Sequence, residues 1–359
     1  MTRPDLLTAS YQYELPDELI AHRPIDKRDQ SRLLVMNGPD VLEDRIFSDL
    51  PAYLSPGDCL VINDTRVIPA RLHGSREKTG GAVELLLLTP LEGNVWRALA
   101  KPGKSARPGD RLVFGQGRIK AEIQAVEPDG SRLVSLETRG PLLEALNEIG
   151  EMPLPPYIHE KLADPGRYQT VYADQAGSAA APTAGLHFTE NLLETIQAQG
   201  VEIARVTLHV GLGTFRPVKE SAVRDHIMHY EPFTLDRQAV QTVLSVKKSG
   251  GRVIAVGTTS CRLLESAARR SRQDLLEPQA GETDLFIYPG FEFKVVDALI
   301  TNFHLPGSTL LMLVSALMGR EPMLAAYRHA IQERYRFFSF GDAMLLLPQG
   351  AARRRETTK

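Results

Sequence analysis

Residues 299–317, LITNFHLPGSTLLMLVSAL, place Thr301, Asn302, His304, Ser308 and Thr309 between two apolar runs. Such runs are buried in a folded chain, so this polar cluster stands at the rim of a core. The pattern predicts a strand, a turn at Leu305-Pro306-Gly307 and a helix opened by Ser308 or Thr309, whose hydroxyl caps the free amides. A helix start of this kind offers N–H groups and a positive dipole end to an anion, and His304 adds a group that titrates near neutral pH. A capped helix with one hydrogen-bonded histidine fits the same pattern.

Five further polar corners follow apolar runs. Asn63-Asp64-Thr65-Arg66 closes the run LVIN, with Arg71 five residues beyond Arg66; an Asx-turn with a surface salt bridge is the alternative. In 177–189, GSAAAPTAGLHFT, small residues allow close approach of a ligand, and His187 precedes a helix that Thr189 caps. In 209–216, HVGLGTFR, His209 precedes a loop at Gly211 and Gly213 that lacks the rest of a dinucleotide fingerprint. In 226–231, HIMHYE, His229 and Glu231 share one face if extended, suiting proton transfer, metal binding or one interfacial hydrogen bond. Gly257-Thr258-Thr259-Ser260 lies between the buried strand VIAV and a helix, as a cradle for an anion without a Walker lysine.

Cys261 falls in a helix with no histidine near it in sequence, and no GxSxG elbow exists, so a nucleophilic triad is unsupported. The pattern supports no metal site either. In 335–342, YRFFSFGD, Tyr335 and Arg336 suit stacking of a nucleobase and contact with a phosphate, while aromatics at that density also suit a core.

The elements that must position these groups follow from periodicity. The spacing predicts a short helix at 13–20, strands at 32–36 and 60–63, and a helix at 141–149. An extended linker follows at 152–158. Beyond it the chain alternates: helix 190–199, strand 202–209, helix 239–249, strand 252–256 and a helix from 260. Between 73 and 125, short β-rich runs separated by Gly, Pro and Asn turns suggest a small antiparallel barrel or sandwich. The fold class is therefore α/β. One discontinuous domain spans 1–72 and 151–350, interrupted by a β module at 73–150 and followed by a basic tail at 351–359.

A chain of 359 residues is long enough for two cores, and 43% hydrophobic with 24% charged residues is ordinary for a globular protein. No apolar run reaches the roughly 18 residues of a membrane span, and the first twenty residues do not form a signal peptide. Cys59 and Cys261 sit in core-like segments, which disfavours a disulfide framework and fits a reducing cytoplasm. A net charge of −2 gives no global footprint for nucleic acid, so any such site is a local basic patch.

Seven strings, in order and across nearly the whole chain, carry a resemblance: NDTRVIPARL, APTAGLHF, HVGLGTFRPV, HIMHYE, VGTTSCRLLES, YPGFEFKVVDALITNFHLPGSTLLMLVSAL and YRFFSFGDAMLLLP. Together they are similar to the S-adenosylmethionine:tRNA ribosyltransferase-isomerases of queuosine biosynthesis. The resemblance implies a larger α/β domain, mixed in its sheet, interrupted by a small antiparallel β-barrel. It implies transfer and isomerisation of the ribosyl moiety of S-adenosylmethionine onto 7-aminomethyl-7-deazaguanine at the tRNA wobble position, giving epoxyqueuosine with release of adenine and methionine. It further implies no metal and a tRNA partner; no membrane, a cytoplasmic location and a monomer are expected alongside it.

Within the matching strings, His187, His209, His229 and His304 are candidates for proton transfer. Glu231 is expected to tune His229, and Asp64 to stabilise positive charge on the sulfonium or the sugar. Gly257, Thr258, Thr259 and Ser260, with Asn302, Ser308 and Thr309, are expected to bind the co-substrate. Arg66, Arg71, Arg216, Arg262, Tyr335 and Arg336 are expected at the RNA. Two other classes remain at this stage: a methyltransferase using the same co-substrate, disfavoured by the missing glycine-rich strand-turn-helix near the N-terminus, and a non-catalytic RNA-binding scaffold.

Overall fold

The computed structural model describes residues 4–103, 106–155, 157–158, 162–211, 218–272 and 276–348. Arg216, Gly213 and the basic tail at 351–359 lie outside the described residues. The strands in chain order begin with β1 (Arg32–Asn37), β2 (Val41–Ile46), β3 (Cys59–Asn63) and β4 (Thr65–Val67). Next come β5 (Arg71–Arg76), β6 (Ala82–Pro90), β7 (Val95–Lys101), β8 (Arg111–Phe114), β9 (Ile119–Val126) and β10 (Arg132–Thr138). The remainder are β11 (Gln175–Ser178), β12 (Glu202–Leu208), β13 (Glu231–Leu235), β14 (Val253–Val256), β15 (Gln279–Thr283), β16 (Ala298–Asn302) and β17 (Ala343–Leu347). The helices are α1 (Leu142–Ile149), α2 (Glu190–Ala198), α3 (Arg237–Lys248), α4 (Gly257–Arg270), α5 (Thr309–Met318) and α6 (Arg320–Gln332).

A nine-stranded mixed sheet runs β15-β13-β12-β3-β14-β16-β17-β1-β2. Its centre, β12, β3, β14 and β16, is parallel throughout. β3, β14 and β16 are buried along their whole length, which is why they read as continuous apolar runs rather than alternating ones. The two faces still segregate by parity. Val61, Ala255 and Leu299 join one core with residues of α3 to α6, whereas Leu60, Ile254 and Ile300 join another beneath α2.

Four adjacent parallel strands have their carboxyl ends on one edge of the sheet. Their last residues are Asn63, Leu208, Val256 and Asn302, so the corners at Asp64, His209, Gly257 and His304 all emerge there. In open α/β sheets ligands bind outside that edge.

β5 to β10 close into an antiparallel barrel in the order β10-β7-β6-β5-β8-β9. The barrel, rather than the sandwich, is the outcome of the β-rich stretch. Gly74 is required where β5 meets β8, because a Cβ there would stand 2.3 Å from the Val113 carbonyl oxygen. The chain enters and leaves the barrel side by side: Arg71 N–H donates to Glu151 O at 3.1 Å and Glu151 N–H returns to Arg71 O at 2.8 Å.

Two local expectations change. The helix expected at 13–20 is reduced to a single 3-10 turn, Asp17–Leu19, because Pro16 disfavours helical geometry at Leu15. The helix expected from Ser260 starts at Gly257 instead, so the polar turn is the helix's own first turn. Gly257, at φ +87°, makes the corner between β14 and α4. No single described helix is long and apolar enough to cross a membrane; α5 and α6 are bent 113° apart.

Candidate active site

A cavity of about 80 Å³ lies at the carboxyl edge, and four separate chain segments supply its polar wall. Thr183 comes from the small-residue loop, Gly257, Thr258 and Thr259 from the start of α4, Thr301, Asn302 and His304 from the end of β16, and Ser308 from the cap of α5. Tyr157 and Phe338 close its apolar side. Ser308 Oγ accepts from Leu311 N–H at 3.2 Å and donates to Leu305 O at 2.8 Å, which fixes the turn after His304. α4 has no such cap: Val256 occupies the cap position and offers no side-chain acceptor. The first-turn amides of a 14-residue helix therefore face the cavity without a side-chain partner, the arrangement that favours an anion.

Two of the seven expected co-substrate residues fall outside this wall. Ser260 is fully buried and its Oγ donates back to Val256 O at 2.8 Å, because a hydroxyl in the first helical turn readily bonds the carbonyl four residues earlier. Thr309 is buried one residue past the cap and does not line the cavity.

Asn302 is held from both ends. Thr183 Oγ1 donates to its Oδ1 at 2.8 Å, and its Nδ2 donates to His187 Nε2 at 3.1 Å. Nε2 being an acceptor, the His187 proton is assigned to Nδ1, which donates to Ser31 Oγ at 2.7 Å; that hydroxyl passes on to Arg28 O at 3.2 Å. Phe47 stacks on the imidazole at 5.1 Å. Burial, aided by the positive charges of Arg336 and Arg28, pushes the His187 pKa down to about 3. The ring is therefore neutral, and it orients Asn302 rather than storing a proton.

His304 lines the same cavity. Its Nε2 pairs with Thr301 Oγ1 at 2.8 Å, its N–H donates to the Tyr327 hydroxyl at 2.8 Å, and its carbonyl accepts from Tyr13. Nδ1 makes no hydrogen bond among the described residues. Burial pushes this imidazole down to about 3 as well.

Asp64 and His209 do not join this group. They line a larger, polar cavity of about 500 Å³ together with Asp174, Arg205, Thr207 and Thr234. The division follows from strand geometry, since successive residues point to opposite faces. Asn63 reaches Thr259 Oγ1 at 3.3 Å on the first side, while Asp64, its neighbour, accepts from Thr207 Oγ1 at 2.7 Å on the second. Likewise Val210 lines the smaller cavity and His209 the larger. His209 Nδ1 pairs with Thr65 Oγ1 at 2.7 Å, and burial lowers its pKa. Burial raises that of Asp64, against the hydrogen bond from Thr207.

Glu231 has a partner that the spacing in the sequence did not anticipate. Glu231 is buried and forms an ion pair with Arg262, and it accepts from Gly211 N–H at 3.2 Å. Arg262 Nε donates to Leu285 O at 3.0 Å, so this guanidinium is interior and not at an RNA surface. A carboxylate taken out of water requires a strong cation, and the Arg262 guanidinium on α4 supplies it.

Tyr335 is also interior. It is fully buried, its hydroxyl donates to Asp44 at 2.5 Å, and Arg32 stacks over its ring at 3.7 Å, so no face remains for a nucleobase. Arg71 is paired with Glu84 at the mouth of the barrel. Arg66 is exposed on β4, and Arg336 is half-buried. Reasoning from sequence named Asn63 within a polar corner without giving it a role, and missed Thr183, Ser31 and Tyr157 as members of the site. Of those three only Thr183 carried a signal, as the sole hydroxyl in the otherwise featureless run AAAPTAG. Among the described residues no group of three or more His, Cys, Asp or Glu side chains is placed to hold a metal.

Comparison with known proteins gives consistent matches. A family model described as "Queuosine biosynthesis protein" matches residues 8–346. The chain is 56% identical over 339 residues to the S-adenosylmethionine:tRNA ribosyltransferase-isomerase of Acetivibrio thermocellus, covering 94% of this chain and 99% of that protein. It is 56% identical over 340 residues to the protein of the same name from Symbiobacterium thermophilum, again covering 94% and 99%. Among solved structures it is similar to the S-adenosylmethionine tRNA ribosyltransferase of Thermotoga maritima, with a TM-score of 0.54, 38% identity, and coverage of 94% of this chain and 100% of that one.

Proposed function

The chain belongs to the queuosine biosynthesis protein family, and we propose on that premise that it is an S-adenosylmethionine:tRNA ribosyltransferase-isomerase. It moves the ribosyl moiety of S-adenosylmethionine, with isomerisation, onto 7-aminomethyl-7-deazaguanine at the wobble position of a tRNA, and epoxyqueuosine, adenine and methionine result. The single observation that carries this reading is 56% identity over nearly the full length of relatives named for the reaction.

The chemistry follows from the sulfonium, which acidifies the ribose C5′ protons. A base removes one, the resulting ylide expels adenine, the acceptor amine attacks the opened sugar, and methionine departs last. The proton taken from C5′ has to end on the departing adenine. His304 lines the cavity with its imidazole kept neutral by burial, so it serves as a hydrogen-bonding group toward the substrate rather than as the base. Asn302, oriented by His187 and Thr183, holds the rearranging sugar, and the open first turn of α4 at Gly257 and Thr258 receives the methionine carboxylate.

The cavity is smaller than the roughly 300–1,000 Å³ of ordinary ligand pockets, so both substrates extend beyond it. Asp64 and His209 stand in the neighbouring larger cavity, where they meet those extensions and not the reacting carbon. Arg66, exposed on β4, is assigned to the tRNA. The barrel and the discontinuous α/β body are treated as two domains meeting at the Arg71–Glu151 neck.

The test is incubation with S-adenosylmethionine and a tRNA carrying the deazaguanine precursor, followed by nucleoside mass analysis and detection of adenine. A ribosyl-sized gain with free adenine is expected. A methyl-sized gain would move the protein to the methyltransferases, and binding without turnover would make it a scaffold.

A further inference from the structure

Behind Asn302, on the far side of His187, a third and smaller cleft of about 20 Å³ brings three arginines together: Arg28, Arg167 and Arg336. Ser339 lines both this cleft and the cavity of the proposed reaction, so one residue borders the two. All three arginines are half-buried.

Each guanidinium is gripped by main-chain carbonyls. Arg28 donates to Leu186 O at 3.0 Å and Gly166 O at 3.1 Å, Arg167 to Asp26 O at 3.0 Å and to Ile25 O, and Arg336 to Phe340 O at 2.6 Å and Arg23 O at 3.3 Å. Carbonyls fix orientation without cancelling charge. A guanidinium has five N–H donors, so two such bonds leave others free. Arg167 Nε is buried with no partner at all. Among the described residues no carboxylate hydrogen-bonds any of the three. Asp342 forms a long ion pair with Arg336 at 3.9 Å, and its oxygens are also engaged by the Arg32 and Arg336 amides at 3.0 and 2.8 Å, so it compensates that one arginine in part. Asp164 acts on Arg28 only through space and is occupied by Gly166 N–H at 2.8 Å.

Tying loops together does not call for three mutually repelling cations, since neutral donors would serve. Fixed forks with spare donors are what a tetrahedral oxyanion requires. We propose that Arg28, Arg167 and Arg336 form an oxyanion subsite that grips a backbone phosphodiester of the tRNA strand beside the acceptor base. The inference rests on the tRNA-modifying reading above. A base seated in the cavity carries its own strand's phosphate outward past Ser339, whereas the carboxylate of methionine already has a place at the start of α4.

Two measurements on the full-length enzyme test this. In steady-state assays with S-adenosylmethionine and precursor tRNA, Arg28→Gln, Arg167→Gln and Arg336→Gln are each expected to raise the KM for tRNA about tenfold or more, leaving that for S-adenosylmethionine unchanged. The slope of log tRNA affinity against log salt is expected to fall by about 0.7 for the lost single-strand phosphate. A rise confined to the S-adenosylmethionine KM would assign the cleft to the carboxylate and overturn the proposal. The second measurement needs no variant. Anticodon stem-loops bearing one neutral methylphosphonate at a time are titrated against the wild-type protein. One linkage next to the acceptor base is expected to lose affinity when neutralised, and uniform affinity at every linkage would sink the subsite. Adenine release by the wild-type enzyme, scored in the same assays, tells failure of the subsite from failure of the reaction assignment.

Discussion

Asn302 Nδ2 stands 3.1 Å from His187 Nε2, and this bond makes a histidine that never meets the cavity responsible for the direction of an amide that does. The chain continues through Ser31 to a main-chain carbonyl, so every donor in it is used. His187→Phe preserves the stack on Phe47 and removes the acceptor, leaving the Asn302 amide misdirected. The expected result is a fall in kcat of about tenfold or more with the KM for tRNA unchanged, because orientation rather than binding is lost. Equal kcat in the variant and the wild type, by steady-state adenine release, would remove His187 from the mechanism.

Stability should fall as pH drops below neutral. His187 and His304 have folded pKa values of about 3, against about 6.5 in the unfolded chain. Below pH 6.5 the unfolded state binds protons that the folded state refuses, so acid favours unfolding down to about pH 3. At pH 5 the loss is roughly 2 kcal/mol per histidine. Urea midpoints at pH 7.5 and pH 5 check this. His304→Gln should show a flatter dependence than the wild type, and an identical slope would contradict the burial argument.

Glu231 and Arg262 are each about 5% exposed at the side chain, so each is the other's substitute for water. Glu231→Gln is expected to cost about 3–5 kcal/mol, since it strands a buried guanidinium. Combining it with Arg262→Met should recover part of that loss. Chemical denaturation of the two single variants and the double variant decides it, and simple additivity would mean the residues are not coupled.

Tyr335→Phe separates a core aromatic from an RNA contact. Losing the hydroxyl bond to Asp44 should cost about 1 kcal/mol of stability and leave the tRNA KM unchanged. A weakened tRNA KM with an unchanged melting temperature would return Tyr335 to the RNA surface.

What was legible in the sequence was local. The buried strands at 60–63 and 253–256, the caps at Thr189 and Ser308, and the polar corners after apolar runs are written in composition and periodicity over a few residues. The seven motif strings carried the reaction, because they name a family whatever the geometry. Tertiary structure decided which corners share a cavity. Asp64 and Asn63 are neighbours in the chain, yet a strand turns them to opposite sides, and His209 parts from Val210 in the same way. The partner of Glu231 was likewise undecidable from the chain alone, since His229 is two residues away and Arg262 is thirty-one. Proximity in sequence pointed only to His229, and only the packing of α4 against β13 brings a guanidinium to the buried carboxylate. The three arginines near residues 28, 167 and 336 belong to that second kind of information, because no spacing relates them before the chain is folded.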